Sequence, residues 1–86
     1  MKYYFVIKEK TLEDRVALMV LACYRDLNFE VHRHWHEESI THPESERFND
    51  REEAESLAEQ FFGQVKMVPK EVYEWLQDKR RLDDES

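Results

Sequence analysis

The chain has 86 residues, of which 41% are hydrophobic and 38% are charged, and its formal net charge is −7. A chain of this length buries only one modest core, so we expect a single globular domain over residues 1–82 and a frayed acidic tail over residues 83–86. Direct binding of nucleic acid is disfavoured, because phosphate-binding surfaces need clustered Lys and Arg in excess.

Cysteine usage and the apolar runs favour a soluble cytoplasmic protein. Cys23 is the single cysteine, so the chain has no cysteine pair for an internal disulfide or a metal knuckle. The longest apolar run, residues 16–24, is shorter than the roughly 20 residues that a membrane span needs. The start of the sequence also lacks the apolar core of a secretory signal. We therefore expect no association with a membrane.

The first predicted element is a strand over residues 2–8, KYYFVIK, which is rich in aromatic and β-branched residues. Tyr3 and Phe5 alternate with Tyr4 and Val6, so both faces of this strand are apolar. A strand that is apolar on both faces belongs in the middle of a sheet.

Residues 11–28 are compatible with a helix or with a strand. Thr11 and Asp14 form a weak capping pair, and Asn28 suits the left-handed position after a helix. The apolar residues at helical spacing are Leu12, Val16, Met19, Val20, Cys23 and Leu27. Leu, Ala and Met outnumber β-branched residues, so we favour a helix that buries Cys23 as an inert thiol. The alternative is a strand in a β-meander.

The segment FEVHRHWHE, residues 29–37, alternates between apolar and polar residues as a half-buried strand does. Its polar face carries His32, His34 and His36. Arg33 interrupts the apolar face, which predicts an edge strand whose guanidinium group reaches solvent.

Two more helices and a short strand follow. The first helix begins at Asp50, which forms a capping pair with Glu53, and it ends at Gly63. Its apolar stripe consists of Ala54, Leu57, Ala58, Phe61 and Phe62. A strand is predicted over residues 64–68, and Pro69 suits the first turn of a last helix. The apolar face of that helix carries Val72, Trp75 and Leu76.

The predicted order is β-α-β-β-α-β-α, which is an α+β fold of the ferredoxin-like type: a βαββαβ sandwich with an added C-terminal helix. The alternative is a β-meander followed by two helices. In both arrangements the helices cover one face of the sheet. The other face is open unless the final helix or a partner covers it.

The histidine strand is a candidate metal site. Alternate residues of a strand lie about 6.6 Å apart, so three ligands on one flat strand cannot share an ion without a bulge. The alternative metal ligands are therefore His32, His34, His36 and His42, with Glu30 or Glu37 able to contribute. A simpler interpretation is the solvated face of an edge strand, or a surface that responds to pH. No cofactor is expected.

Carboxylates between residues 44 and 59 form a second candidate surface, on which we expect a partner to bind. They belong to Glu44, Glu46, Asp50, Glu52, Glu53, Glu55 and Glu59. On the predicted helix Glu52, Glu55 and Glu59 share the side opposite the apolar stripe and stand about 5–6 Å apart. Such a row is comparable to the phosphates of a nucleic-acid strand and can occupy a basic groove. The simpler interpretation is a solvated helix face.

Two tyrosines are candidate anchors for a partner. Tyr4 would lie on the open face of the sheet near the histidines, and Tyr73 cannot share a buried helix face with Trp75. Exposed aromatic residues are favoured in interfaces. They predict binding to another protein, or a homodimer formed through the open sheet face.

Residue patterns typical of enzymes are missing from the sequence, which has no glycine-rich loop and no nucleophile in a catalytic setting. We expect a non-enzymatic regulator or inhibitor. In size and acidity the chain resembles small phage-encoded inhibitors of host defence, such as anti-CRISPR and anti-restriction proteins, some of which imitate nucleic acid. The resemblance implies that the partner is a nucleic-acid-binding enzyme or complex. The alternative function is a metal- or pH-sensing domain.

Overall fold

The computed structural model describes the backbone of residues 1–85 and the side chains of residues 1–83. The elements are β1 (Lys2–Thr11), β2 (Val16–Arg25), β3 (Val31–His36), α1 (Arg51–Gln60), β4 (Gln64–Pro69) and α2 (Lys70–Glu85). The strands form one antiparallel open sheet in the order β3-β2-β1-β4. None of the helices in the described part of the chain has the length and apolarity that a membrane crossing requires.

The ferredoxin-like order is not confirmed, because the favoured helix within residues 11–28 is strand β2. Strands β1, β2 and β3 form the meander of the alternative prediction, but β4 lies between the two helices in the sequence. Val20 of β2 pairs with Ile7 on one side and with His36 on the other. Backbone hydrogen bonds to two neighbouring strands outweigh the helix propensity of Leu, Ala and Met.

The helices cover opposite faces of the sheet, which is the arrangement left open in the sequence prediction, in which the final helix covers the second face. Helix α1 covers a cluster formed by Val6, Leu21, Phe48, Ala54 and Ala58. Helix α2 covers a cluster formed by Tyr3, Phe5, Val68 and Tyr73. The final helix packs on β1 and β4 of the second face, and a homodimer through the sheet face stays a prediction. The central position predicted for the first strand is confirmed, since Phe5 and Val6 are both fully buried on its two faces.

The segment before α1 passes between β1 and β2. The backbone of Phe48 exchanges hydrogen bonds of 2.8 and 2.9 Å with Tyr4 of β1. On the other side, the Cys23 amide of β2 donates to the Glu44 carbonyl at 2.8 Å. Ile40 packs on the α2 side of the sheet and Phe48 on the α1 side, so the chain changes faces through this fork.

Helix α1 has the predicted N-cap but a different C-terminus. The Asp50 side chain accepts a hydrogen bond from the Glu52 amide at 3.0 Å. The left-handed residue after the helix is Phe62, with φ 59°, and Gly63 has an ordinary φ. A Cβ atom on Gly63 would lie 2.8 Å from the Trp35 ring and 2.9 Å from the Ile7 carbonyl oxygen. Glycine is therefore needed there for close packing, not for its conformational freedom.

Helix α2 begins directly after Pro69, and its orientation differs from the prediction. Tyr73 faces the sheet and is 6% exposed, whereas Val72 and Trp75 are 46% and 60% exposed. The helix continues through Glu85 and so extends into the predicted tail. The last residue of that tail, Ser86, lies outside the described residues.

Candidate functional site

The histidines form a row of ring contacts on the α2 face of the sheet. Ring centroids lie 5.2 Å apart between Tyr24 and His32, and 5.6 Å apart between Tyr24 and His34. The row continues from His34 to His36 at 5.7 Å and from His36 to His42 at 5.0 Å. Strand β3 is an edge strand, as Arg33 predicted, and its alternation places three of these histidines on one face.

Hydrogen bonds occupy three of the imidazoles in this row, those of His32, His36 and His42. The Ser45 hydroxyl donates to the Ser39 carbonyl at 2.7 Å, so it accepts from Nε2 of His36 at 2.8 Å. Nδ1 of His42 accepts from the Glu44 amide at 3.1 Å, which places the proton of the neutral ring on Nε2. The free lone pair of His42 is thus already used, and His42 is not oriented to share a metal ion with His36.

Partial burial lowers the pKa of His36, and the neighbouring His42 and His34 rings lower it further. Glu38 and Glu44 act in the opposite direction with a smaller effect. Because the ordinary pKa of histidine is already near 6.5, His36 is neutral at pH 7. A neutral imidazole in this position acts as a hydrogen-bond donor to the connecting segment.

Among the described residues, Asp26, Glu30 and His32 form a cluster that could hold a metal ion. Their potential ligand atoms all lie within 4.8 Å of one another. Asp26 is engaged in the β2–β3 turn, where Oδ1 accepts from the amides of Asn28 and Glu30 at 2.8 and 3.0 Å. Its Oδ2 accepts from His32 Nε2 at 2.8 Å. The hydrogen bond from His32 lowers the pKa of Asp26, as do the two backbone amides. These contacts explain the cluster as a turn that joins two strands.

The row of glutamates on α1 is exposed as predicted. Glu52, Glu55 and Glu59 point away from the sheet, and the opposite side of the helix buries Ala54 and Ala58. We call Glu52, Glu55 and Glu59 the α1 ridge. Arg51 pairs with Glu55 at 2.9 Å, and the last turn of the helix has no basic residue.

The structure separates the two glutamates before the helix from the α1 ridge. The Glu46 carboxylate forms two hydrogen bonds with Arg33, at 2.8 and 2.9 Å, and its side chain is only 15% exposed. This pairing raises the pKa of Arg33. Glu44 lines a cleft beside α2. Neither of the two extends the row on α1.

The two tyrosines predicted as partner anchors are engaged in packing. Tyr73 is buried, with its ring centroid 5.2 Å from that of Tyr3 and 5.7 Å from that of Phe5. Tyr4 is half-buried against the α1 cluster, on the opposite face from the histidines. Tyr73 is not exposed, as the anchor prediction assumed, because helix α2 presents it to the Tyr3 and Phe5 rings of β1.

Sequence reasoning missed several strongly exposed apolar side chains. Leu27 and Phe29, at the β2–β3 turn, are 98% and 78% exposed, and Phe62 is 90% exposed. Phe29 and Phe62 also have left-handed backbones, with φ 63° and 59°. An apolar groove of about 550 Å³ runs between α2 and the β1–β2 hairpin and is lined by Ile7, Leu18, Ile40, Val72 and Leu76.

No family model, curated protein sequence or solved structure matches this chain. We therefore infer its function from the surfaces described above, among which the α1 ridge is exposed on a helix whose other side is buried.

Proposed function

We propose that this protein is a non-enzymatic regulator or inhibitor of the phage anti-defence type, which acts in the cytoplasm. Its α1 ridge binds a basic surface of a nucleic-acid-handling protein. The observation that carries the proposal is the exposed row Glu52, Glu55 and Glu59 on a helix whose other side packs on the sheet.

The ridge supports this function because its charge is held in a defined geometry. Asp50 caps the helix, and Ala54 and Ala58 anchor it to the sheet without exposure above 6%. The carboxylates stand about 5–6 Å apart along one side of the helix. A partner groove lined by Lys and Arg would gain long-range attraction, which raises the association rate and weakens with salt.

Intramolecular pairing leaves most of this charge available. The ion pair of the ridge joins Arg51 and Glu55, whose side chains are 70% and 53% exposed. Exposed pairs of this kind contribute little to stability, about 0–1 kcal/mol, so a partner arginine can replace Arg51 at low cost.

The proposal is tested by displacement from immobilised DNA. Proteins of the native cell are bound to DNA–cellulose at low salt and eluted with the full chain or with the E52Q/E55Q/E59Q variant. We expect the wild-type chain to release a defined protein, identified by mass spectrometry, and the variant to require at least about tenfold higher concentration, since three charge-assisted contacts are lost.

The matched control is E9Q/E13Q/E71Q, which removes the same charge from other exposed positions. This control should release the same protein at the wild-type concentration. Equal loss in both variants would mean that only net charge matters. Release by E52Q/E55Q/E59Q at the wild-type concentration would show that the α1 ridge is not the contact surface.

A further inference from the structure

A cleft of about 610 Å³ lies on the other side of the sheet, between helix α2 and the segment of residues 41–47. The walls bring together Arg47 of the segment with Arg80 and Arg81 of the helix. In a chain with net charge −7, a cleft lined by three arginines is unexpected. Arg80 and Arg81 belong to a run of three basic residues, Lys79–Arg81, whereas Arg47 is remote from them in sequence and joins them only in the fold.

Arg47 is held by aromatic rings and not by an acid. Its guanidinium carbon lies 4.4 Å from the Tyr3 ring centroid and 5.4 Å from the Tyr73 ring centroid. No ion pair joins it to a carboxylate of the side chains that the structure describes. These cation–π contacts hold the guanidinium over the two rings, and its N–H groups remain available to an oxyanion.

The donors from the helix are also oriented. Arg80 donates from Nη1 to the Thr41 carbonyl at 3.1 Å, which holds its side chain against the cleft wall. Arg81 bonds through Nη2 to Asp78 at 2.9 Å and retains its other N–H groups. His42 contributes a further donor, since its Nδ1 accepts from the Glu44 amide and Nε2 carries the proton.

The acids that line the cleft offset only part of this charge. Glu46 is neutralised by its two hydrogen bonds with Arg33. Glu44 is exposed on the wall and forms none of the ion pairs described for the chain. Among the described side chains, the cleft therefore combines three arginines, of which Arg81 is paired with Asp78, with one lining carboxylate, Glu44, that forms none of the ion pairs given above.

We propose that this cleft binds the phosphate group of a small molecule. A phosphate dianion has enough charge and acceptor oxygens to engage more than one planar guanidinium fork, which a single carboxylate does not. The cleft volume of about 610 Å³ falls within the range typical of small-molecule sites. The cleft lies across the sheet from the α1 ridge. The proposal of phosphate binding therefore does not depend on the proposed function of the ridge.

The test is a titration of the ¹⁵N-labelled full chain at constant ionic strength, followed by NMR of the backbone amides and the arginine Nε–Hε groups. The probes are inorganic phosphate, phenyl phosphate and acetate. We expect saturable shifts confined to the cleft with either phosphate compound and weaker ones with acetate. Tighter binding of phenyl phosphate identifies a phosphate monoester as the ligand class, and equal binding identifies free phosphate.

Three variants and one control decide whether the cleft is responsible. Arg47→Gln should weaken phosphate binding at least about tenfold, and Arg81→Gln, whose side chain is 70% exposed and tolerates change, should weaken it severalfold. Glu44→Gln should strengthen binding, an effect that damage to the fold cannot imitate. Arg51→Gln removes the same charge as Arg81→Gln from helix α1 and should leave the affinity unchanged.

The proposal is overturned if phosphate shows no saturation below about 10 mM, well above the range expected for several charge-assisted bonds. It is also overturned if acetate binds as tightly as phosphate, if Arg51→Gln weakens binding as much as Arg81→Gln, or if Glu44→Gln fails to strengthen it.

Discussion

At the residue scale, two phenylalanines occupy backbone positions that sequence reasoning gives to glycine or asparagine. Gly63 was predicted as the C-cap of α1, and Asn28 as the left-handed residue that ends a helix within residues 11–28, yet Phe62 and Phe29 have the positive φ values. Local hydrogen bonds decide which residue takes the left-handed backbone at the end of α1. The Gly63 amide donates to the Ala58 carbonyl at 2.8 Å, so the chain must reverse at residue 62.

Substitutions at this helix end should therefore have opposite effects. Phe62→Gly relieves a left-handed side chain that is 90% exposed, and we expect the free energy of unfolding to rise by about 0.5–1 kcal/mol. Gly63→Ala places a methyl group against Trp35 and Ile7 and should lower it by about 1–3 kcal/mol. Urea unfolding measures both. A loss of stability in Phe62→Gly would contradict the assigned conformation.

At the element scale, β2 shows where local preference and tertiary pairing disagree. The apolar stripe of the predicted helix included Val16 and Leu27, which are 61% and 98% exposed in the structure. Leu21, outside that stripe, is fully buried. A strand between two others buries alternate residues on both faces, which a helical stripe does not reproduce.

The strand assignment gives a sharp mutational contrast on leucines of the same segment. Leu21→Ala should lower the free energy of unfolding by about 2–5 kcal/mol, because it opens a cavity under α1. Leu27→Ala, at a side chain 98% exposed, should change it by less than about 0.5 kcal/mol. Urea unfolding of the two variants checks this. A larger loss of stability in Leu27→Ala than in Leu21→Ala would contradict the strand and favour the predicted helix.

At the scale of the whole molecule, the connection between β3 and α1 joins the two layers. It starts on the α2 face and reaches the α1 face through the fork between β1 and β2. His36 holds Ser45 of this connection, and Arg33 holds Glu46. The crossing separates an acidic surface on one face from a basic cleft on the other, although the net charge of the chain is −7.

This connection makes stability depend on pH. Because the pKa of His36 lies below its ordinary value of 6.5, the unfolded chain binds a proton there more readily than the folded chain. Its contribution to the free energy of unfolding is thus fully present above pH 6.5 and is lost as the pH falls. Urea unfolding from about pH 7.5 to about pH 5.5 should show a smaller loss in His36→Gln than in the wild type. An equal loss would contradict a depressed pKa.

Several features follow from the sequence alone because they depend on neighbours in the chain. The apolar faces of β1 determined its central place, and Asp50 with the period of Ala54 and Ala58 determined the start and buried side of α1. The exposure of the α1 ridge followed from the same period. Arg33 on an otherwise apolar face correctly marked β3 as an edge strand.

Other features were decided only by the tertiary structure, since they depend on groups that are distant in sequence. Strand β2 exists because β1 and β3 supply its hydrogen bonds, and α2 buries Tyr73 because Tyr3 and Phe5 lie beneath it. The arginine cleft forms in the same way, as the crossing segment brings its side chain to the end of the last helix. Contacts of this kind leave no periodic trace in a sequence.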